Sequence, residues 1–136
     1  PDVLKKSGRY IDMITNGRYN KLLMMDDNQT ELALSGQYYD FPVKISDNLS
    51  RGTREQIYLA LRLAFMEHLD IQGETIPAFF DEVLVNWDGI RRQKGMDIIE
   101  GISRKRQVFI FTCHKFIVED IVSKMDAQVI DINNIK

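Results

Sequence analysis

The sequence is poor in the features that mark several classes of protein. It has one cysteine and three prolines in 136 residues, and no apolar run approaches the roughly 18 residues that a membrane-spanning helix needs. Since Cys113 is the single cysteine, no intrachain disulfide can form, and we expect a cytoplasmic protein without a membrane segment. No lysine follows any of the eight glycines, so the sequence lacks the Gly-x-x-x-x-Gly-Lys-Ser/Thr loop that cradles phosphates.

The net charge is small as well. Eighteen Lys and Arg against 20 Asp and Glu give a formal net charge of −2, without the overall basic footprint of a nucleic-acid binder. The hydrophobic fraction of 44% fits one globular domain, because a chain of this length buries about two-thirds of its unfolded surface. The start, Pro1-Asp2-Val3, has neither an initiator methionine nor an apolar signal stretch, and it predicts a piece of a longer protein.

The first half predicts a helix and a small sheet. Apolar positions at helical spacing over residues 3–15 indicate the helix, which Gly17 ends. Short β-like stretches follow, separated by turn residues such as Asp27-Asn28 and Ser35-Gly36. These stretches are residues 21–26, 31–34 and 41–45. They predict an antiparallel β-meander within residues 19–46.

The second half alternates helix and strand. Ser50 caps a predicted helix over residues 51–69, which we expect to be buried because it is apolar on most of its circumference. The apolar run over residues 76–80 is typical of a central parallel strand that is covered on both faces. Asp88 caps the next helix. The elements predicted from there are helix 89–103, strand 108–112, helix 116–125 and strand 128–132. This alternation predicts an α/β fold with parallel strands and flanking helices.

The head of the long helix is the first candidate site. Within residues 49–56 the helix N-terminus offers unpaired N–H groups, Ser50 adds a hydroxyl, and Gly52 lets a phosphate approach the backbone closely. This pattern favours anion binding. The alternative is that Ser50 is only a cap and Gly52 only a loop residue.

The second candidate is the acid pair Asp81-Glu82 at the end of an apolar strand, with Asp88 shortly after it. Ligands of α/β sheets gather beyond the carboxyl ends of the strands, where such acids can hold Mg²⁺ and activate a water. Asp81 would then face the metal shell and Glu82 the water. The alternative is a solvated turn, but acids beside a buried apolar run are costly unless they are paired or metal-bound.

The third candidate is Cys113-His114, which follows the strand predicted over residues 108–112. A histidine at a strand end can donate a hydrogen bond to a phosphate or position a water, and a purely structural histidine is the alternative. Only His114 and Lys115 lie beside Cys113 in sequence to activate its thiol. We therefore expect Cys113 to be a buried small hydrophobe and not a nucleophile.

Taken together, these motifs resemble the C-terminal lobe of an ABC-type ATPase head of the SMC/SbcC/RecF class. Residues 49–53 resemble the signature motif, 76–82 the Walker B strand, 83–88 the D-loop, and His114 the switch histidine. Within that class, the runs LSRGTREQIYLALRL, DEVLVNWD and FTCH are most similar to the YhaN-like bacterial ATPases. Arg51 departs from the pattern, because the general ABC signature has glycine there, and the similarity to transporter-type ABC proteins is poorer for it.

The resemblance implies a P-loop NTPase fold and a role for each matched residue. Asp81 would hold Mg²⁺ through its water shell, Glu82 would be the general base that polarises the attacking water, and His114 would contact the γ-phosphate of ATP in its own head. Across a head-to-head dimer, Ser50 and Gly52 would touch the γ-phosphate of the ATP held by a second head. The implied cofactor-binding residues on that side are Ser50, Arg51, Gly52, Gln56, Asn86 and Asp88, of which the last two would lie at the dimer seam.

The resemblance also implies partners outside this sequence. The P-loop would belong to an N-terminal lobe of the same protein, beyond a long coiled coil from which residues 1–18 would emerge, and residues 47–136 would carry the motifs. We expect the full-length protein to be an ATPase in DNA repair or chromosome maintenance, and the isolated chain to be inactive. Basic clusters are candidates for DNA contact, although such runs are usually only solvated. Their residues are Arg91, Arg92, Lys94, Arg104, Lys105 and Arg106.

One rival interpretation remains open, and a second one fails. A non-catalytic dimerisation or docking lobe would never complete a nucleotide site, and the pair Asp81-Glu82 together with His114 speaks against it. A phosphorylatable receiver domain is the other rival. It is a single run of βα units, whereas residues 20–46 predict a meander. Its site would use Asp26-Asp27, Asp81, Thr112 and Lys115.

Overall fold

An antiparallel sheet in the first half of the chain is followed by a pair of parallel strands with helices. The structure is a computed structural model and describes residues 2–25, 31–45, 49–70 and 74–134. In chain order the elements are α1 (Asp2–Ile14), β1 (Lys21–Met24), β2 (Leu32–Ser35), β3 (Val43–Lys44), α2 (Arg51–Leu69), β4 (Ala78–Asp81), α3 (Gly89–Ser103), β5 (Val108–Phe111), α4 (Lys115–Lys124) and a 3₁₀ turn (Ile132–Asn134). The predicted α/β class, with a small meander ahead of the parallel strands, is confirmed.

The meander has the strand order β1-β2-β3, and both pairings are antiparallel. Leu34 stands opposite Leu22 on one side and Val43 on the other, which places apolar side chains in one row across the sheet. Leu22 and Leu34 are buried in the core. The predicted turn Asp27-Asn28 and the predicted strand end Asp26 lie outside the described residues.

The end of α1 agrees with the sequence. Asn16 and Gly17 have positive φ angles of 53° and 81°, and the Gly17 N–H donates to the Asp12 carbonyl at 2.9 Å. A left-handed glycine just beyond a helix is a common helix stop, because it satisfies the last carbonyl groups without a Cβ clash. Further along α1, the Tyr10 hydroxyl donates to Glu67 Oε1 of α2 at 2.6 Å, which joins the two helices.

The parallel pair β4–β5 sets the position of the candidate site. The register runs from Ala78 opposite Val108 to Asp81 opposite Phe111. Because the strands are parallel and in register, both end at the same edge of the pair. The polar residues that follow each strand are therefore neighbours, as the sequence predicts.

The helix α2 begins at Arg51 and ends at Leu69, as expected, but it is buried on one face only. The opposite face is open, with Tyr58 and Phe65 about half exposed. The expected burial around most of the circumference was wrong, because no described element packs on that face. The core side of α2 is formed by Thr53, Gln56, Ile57, Leu59, Ala60, Leu63 and Ala64.

Two strand predictions also need correction. β4 was expected to be covered on both faces, yet its residues alternate between buried and exposed, and Phe79 is 65% exposed. Residues 128–131 form no strand, and Ile132 begins a 3₁₀ turn. A strand forms by pairing with a neighbour, and no described strand pairs with this segment. None of the described helices is long and apolar enough to cross a membrane.

Candidate active site at the ends of the parallel strands

Glu82 is fixed at the point where the two parallel strands end. Its backbone N–H donates to the Phe111 carbonyl at 2.9 Å, which extends the pairing of Asp81 with Phe111 by one bond. Its φ of 48° is left-handed and turns the chain out of the strand. The carboxylate accepts hydrogen bonds from the Thr112 hydroxyl (Oγ1–Oε2 2.9 Å) and from the Cys113 backbone N–H (N–Oε1 2.8 Å).

His114 stands next to that carboxylate. Its Nε2 lies 3.7 Å from Glu82 Oε2, and its backbone N–H donates to Thr112 Oγ1 at 3.1 Å. On the other side the imidazole packs against the ring of Phe116, with the ring centroids 5.4 Å apart. Thr112 thus connects the turn after β5 to the acid after β4. We call Glu82, Thr112, Cys113 and His114 the carboxylate cluster.

The hydrogen bonds of the carboxylate cluster favour the ionised acid. Hydrogen bonding from Cys113, and after it from Thr112 and the charge of His114, lowers the pKa of Glu82 below its ordinary value of 4.5. The same contact works in the opposite sense on the thiol, because hydrogen bonding to Glu82 raises the pKa of Cys113 above 9.0. At neutral pH the cluster therefore holds a carboxylate beside a neutral thiol.

Asp81 lies on the uncovered face of the strand pair. Alternate residues of a strand point to the same side, so Asp81 shares a face with Phe79, and the register adds Phe109 and Phe111 to it. The Phe79 ring stacks on Phe109 and Phe111 with centroid separations of 4.9 and 6.5 Å. All three rings are exposed, from 37% for Phe109 to 65% for Phe79. We call these three rings the aromatic face, and Asp81 stands at its end.

The segment of residues 83–88 leads from Glu82 back to α3. Leu84 has a positive φ of 68°, and the Trp87 N–H donates to the Leu84 carbonyl at 3.2 Å, so the segment is a tight turn. Leu84 and Trp87 are buried against Gly95 of α3, where a Cβ would overlap Leu84 and lie 3.0 Å from Trp87 Cζ3. Asp88 then caps α3 by accepting from the Arg91 N–H at 3.0 Å, as predicted.

The N-terminus of α2 meets this segment. Glu55 binds Arg51 (Oε1–Nε 3.0 Å) and the Asn86 amide (Oε1–Nδ2 3.3 Å), and a Cβ on Gly52 would lie 3.9 Å from the Asn86 carbonyl. Ser50 caps the helix, as expected, by accepting from the Thr53 N–H at 3.2 Å. Arg51, Gly52 and Asn86 are therefore neighbours. Within the described residues, no hydrogen bond or ion pair joins them to the carboxylate cluster.

Gln56 was expected among the cofactor-binding residues, but it lies in the core with 2% of its surface exposed. Neither atom of its amide has a hydrogen-bond partner within the described part of the chain. Helical periodicity explains the difference, because the buried positions Thr53, Gln56, Ile57 and Ala60 share one face of α2. In this conformation the Gln56 amide cannot reach a ligand in solvent.

An open groove with a volume of about 740 Å³ runs between α2 and β4. Asp81 and Glu82 line it together with Arg51, Glu55 and Asn86. Its walls are otherwise largely apolar, with Tyr58, Leu59, Leu63, Phe65, Met66, Leu69, Ile76, Pro77, Phe79 and Phe80. The groove is therefore polar where the strands end and, apart from Arg62, largely apolar along the rest of its length.

The expectation for Cys113 was wrong. The residue is exposed, and its backbone N–H is one of the two donors that hold the Glu82 carboxylate. It lies in the bend after β5, where no described element covers it. The sequence interpretation also gave Thr112 no role in this site, although a hydroxyl directly after an apolar strand is itself a signal for a strand-end site.

The basic clusters are largely engaged within the chain. Arg106 is buried, pairs with Asp70 and donates to the Ile76 carbonyl at 2.9 Å, so it cannot be a solvated DNA contact. Arg92 donates to Asp120 at 2.8 Å and stacks over Phe116. Two further ion pairs of these clusters are Arg91–Asp88 and Arg104–Glu100.

Comparison with known structures identifies the fold. The chain superposes on an Smc head domain with a coiled coil and joint from Pyrococcus yayanosii (TM-score 0.67, 17% identity, 92% of this chain and 23% of that one). It also superposes on a structure from work on ATP-driven dimerization and DNA-stimulated activation of SMC ATPases (TM-score 0.63, 16% identity, 90% of this chain and 74% of that one). The chain has the fold of an SMC head. The resemblance named from the sequence is thereby confirmed at the level of the fold.

In sequence, the chain is similar to the uncharacterized protein YhaN of Bacillus subtilis (strain 168). The two are 29% identical over 119 residues, which are 86% of this chain and 12% of YhaN. The chain thus spans about an eighth of the length of this relative. No protein-family model matches the chain.

Proposed function

We propose that the chain is the C-terminal lobe of an SMC-like ATPase head and that Glu82 is the general base for ATP hydrolysis. The observation that carries the proposal is the carboxylate cluster: an ionised acid at the end of a parallel strand, held by two donors and within 3.7 Å of a histidine. Phosphoryl transfer relies on positioning and charge stabilisation, so a carboxylate of fixed orientation suits a base that polarises a water.

The acids at this edge fit a magnesium ion. Mg²⁺ prefers oxygen ligands and keeps several waters, and Asp81 presents an exposed carboxylate directly beside Glu82. Asp81 would hold the ion, whose chemistry is to neutralise charge on the phosphates of ATP. His114 would donate a hydrogen bond to the γ-phosphate in the same head. In this assignment Asp81 holds the magnesium ion, and the Glu82 carboxylate is left to polarise the attacking water.

The other set of residues would serve a second head. Ser50, Arg51 and Gly52 at the N-terminus of α2, with Asn86 beside them and Asp88 two residues further along the chain, would contact the ATP of that head when two copies close head to head. Support comes from Glu55, which accepts hydrogen bonds from both Asn86 and Arg51 and so brings the two motifs into contact. The positive end of the helix dipole, at the N-terminus of α2, favours a phosphate.

An N-terminal lobe of the same protein would cover the aromatic face and supply the P-loop. Support comes from the exposure of three stacked rings beside Asp81 and from the share of YhaN that the chain matches, 12% of its length. A monomeric domain rarely leaves such an apolar patch open. In this arrangement α1 (Asp2–Ile14) continues a coiled coil that joins the two lobes.

The decisive experiment changes Glu82→Gln in the full-length protein. We expect ATP turnover to fall roughly 10²–10⁴-fold, the usual contribution of general base catalysis, while ATP binding remains. The ATP-bound dimer should accumulate, as measured by light scattering. Glu119→Gln on the exposed surface of α4 is the matched control, and we expect it to turn over ATP normally. Wild-type turnover by Glu82→Gln would remove Glu82 from its role.

The same turnover assay distinguishes an ATPase from a non-catalytic docking lobe, and it also tests a role in DNA maintenance. A docking lobe would bind a second head without any turnover that depends on Glu82. A protein of DNA repair or chromosome maintenance should hydrolyse ATP faster when duplex DNA is added. Contact with the DNA would not come from Arg106, which is buried, or from Arg92, which is paired with Asp120. The isolated chain should show no turnover in either case.

A further inference from the structure

The carboxylate cluster contains one group that hydrolysis does not use, the thiol of Cys113. One ligand atom each from Glu82, Cys113 and His114 lies within 4.8 Å of the others. All three side chains reach solvent, since Cys113 is exposed and the side chains of Glu82 and His114 are both 40% exposed. A sulfur, a nitrogen and an oxygen thus converge on one accessible point at the strand ends.

We propose that Glu82, Cys113 and His114 form a binding site for Zn²⁺. Magnesium prefers all-oxygen surroundings, whereas thiolate and imidazole are the ligands that select zinc among the common divalent cations. In a tetrahedral zinc site, bond lengths of about 2.0–2.3 Å place neighbouring ligand atoms roughly 3.3–3.8 Å apart. The three atoms lie within 4.8 Å of one another, so this spacing requires them to approach by roughly 1 Å through rotation of the Glu82 and Cys113 side chains.

The backbone around the site favours capture of a metal. Cys113 and His114 are anchored by β5 on one side and α4 on the other, and their backbone N–H groups are already bonded to Glu82 and Thr112. The imidazole is also packed against Phe116, which limits its rotation. Three protein ligands leave a fourth position for water, so the site resembles an exchangeable zinc site more than a closed structural one.

Zinc at this site would inhibit ATP hydrolysis, and this consequence rests on the proposed function of Glu82. The metal takes one oxygen of the carboxylate and the His114 imidazole, and the thiol releases its proton on binding. The base is then no longer free to polarise a water. Cys113 would make the head sensitive to zinc without taking part in the chemistry itself.

Binding is tested on the 136-residue chain with Co²⁺ and Zn²⁺. We expect one Co²⁺ per chain with a thiolate-to-metal absorption band in the near ultraviolet, and Zn²⁺ should displace the cobalt and abolish the band. Cys113→Ser should lose the band and weaken zinc binding at least about tenfold, because even outer contacts of metal ligands are worth that much. His68→Ala is the control, since His68 lies beside Asp2 on another part of the surface, and it should bind as the wild type does.

Two results would overturn the site: the absence of a cobalt–thiolate band, or zinc binding that is equally tight in Cys113→Ser. The regulatory consequence is tested separately in the full-length protein. Cys113→Ser keeps the backbone N–H that holds Glu82, and its turnover, compared with its own rate without metal, should no longer be inhibited by Zn²⁺. If zinc binds through Cys113 but ATP turnover is unchanged, the metal site is supported and the proposed inhibition is wrong.

Discussion

The conformation of Glu82 decides what its carboxylate can do. With φ at 48° the residue is left-handed, a conformation that costs a non-glycine residue of order 1–3 kcal/mol. The hydrogen bonds from Thr112 and Cys113 offset part of that cost and hold the side chain at the strand ends. Such strain is common at functional sites, where the surrounding structure fixes an otherwise rare backbone.

The sequence allowed the acids and His114 to be predicted, since each follows an apolar strand. The partners of Glu82 were beyond prediction for a physical reason. Thr112 and Cys113 lie 30 and 31 residues from Glu82 in sequence, so their hydrogen bonds depend on the register of two strands. Exposure of Cys113 likewise depends on which elements pack near the end of β5, and a local pattern does not contain that information.

Thr112→Val should raise the pKa of Glu82 toward its ordinary value. The substitution removes one donor to the ionised carboxylate, which is the form that the cluster stabilises. The pKa of Glu82 is lowered in the folded state, so these bonds stabilise the fold above the unfolded pKa of about 4.5 and are lost as pH falls through the folded pKa. The measurement is a carboxyl titration by NMR on wild type and variant.

Thr75→Val is the matched control for Thr112→Val. The Thr75 hydroxyl is also exposed, but it donates to the Lys105 carbonyl, away from the carboxylate cluster. We expect it to leave the titration of Glu82 unchanged. A Glu82 pKa that is identical in Thr112→Val and wild type would show that the hydroxyl does not contribute to holding the acid.

Among the elements, the helices were the easiest to predict because their signals are local. Ser50 and Asp88 cap α2 and α3 with a side-chain oxygen three residues from the N–H that it accepts, and both helices start where the caps indicate. The path of the segment of residues 83–88 was not predictable in this way. It depends on the approach of Leu84 and Trp87 to α3, which only the tertiary structure provides.

Gly95→Ala should displace that segment. A Cβ at this position would overlap the Leu84 side chain and press on Trp87, both of which are buried. Overpacking of this kind typically costs 1–3 kcal/mol, so we expect the free energy of unfolding to fall by about that amount. Urea unfolding measures the loss. Trp87 is the chain's single tryptophan, so its fluorescence reports the local shift directly.

Gly101→Ala in the same helix provides the control for Gly95→Ala. Apart from the helix's own backbone and the two neighbouring residues, no atom of the described residues lies within 4 Å of a Cβ built there, so the substitution adds helix propensity without a clash. We expect stabilisation of about 0.5–1 kcal/mol and unchanged Trp87 fluorescence. If both variants shifted stability in the same direction, close packing at Gly95 would not be what positions the segment.

At the scale of the whole molecule, the pattern over residues 128–132 likewise gave no information about which elements would pack beside that segment. Its apolar residues predicted a strand, but Val129, Ile130 and Ile132 are exposed and unpaired with any described strand. The uncovered face of β4 has the same explanation. A sequence pattern indicates which residues can form a sheet, whereas the sheet itself needs neighbours, which the proposed N-terminal lobe would supply.

Phe79→Glu tests that arrangement, because the loss of stability should be small in the isolated chain and large in the full-length protein. Alone, the chain exposes the aromatic face, so we expect the charge to reduce both binding of an apolar dye and self-association, with stability reduced by at most about 1 kcal/mol. In the full-length protein the same charge would be buried against the other lobe, and we expect a lower unfolding temperature and lost ATP turnover. Phe41→Glu is the control, since Phe41 is 81% exposed and belongs to no sheet, and it should change neither protein appreciably. An N-terminal lobe that does not cover the aromatic face would leave the full-length protein as tolerant of Phe79→Glu as of Phe41→Glu.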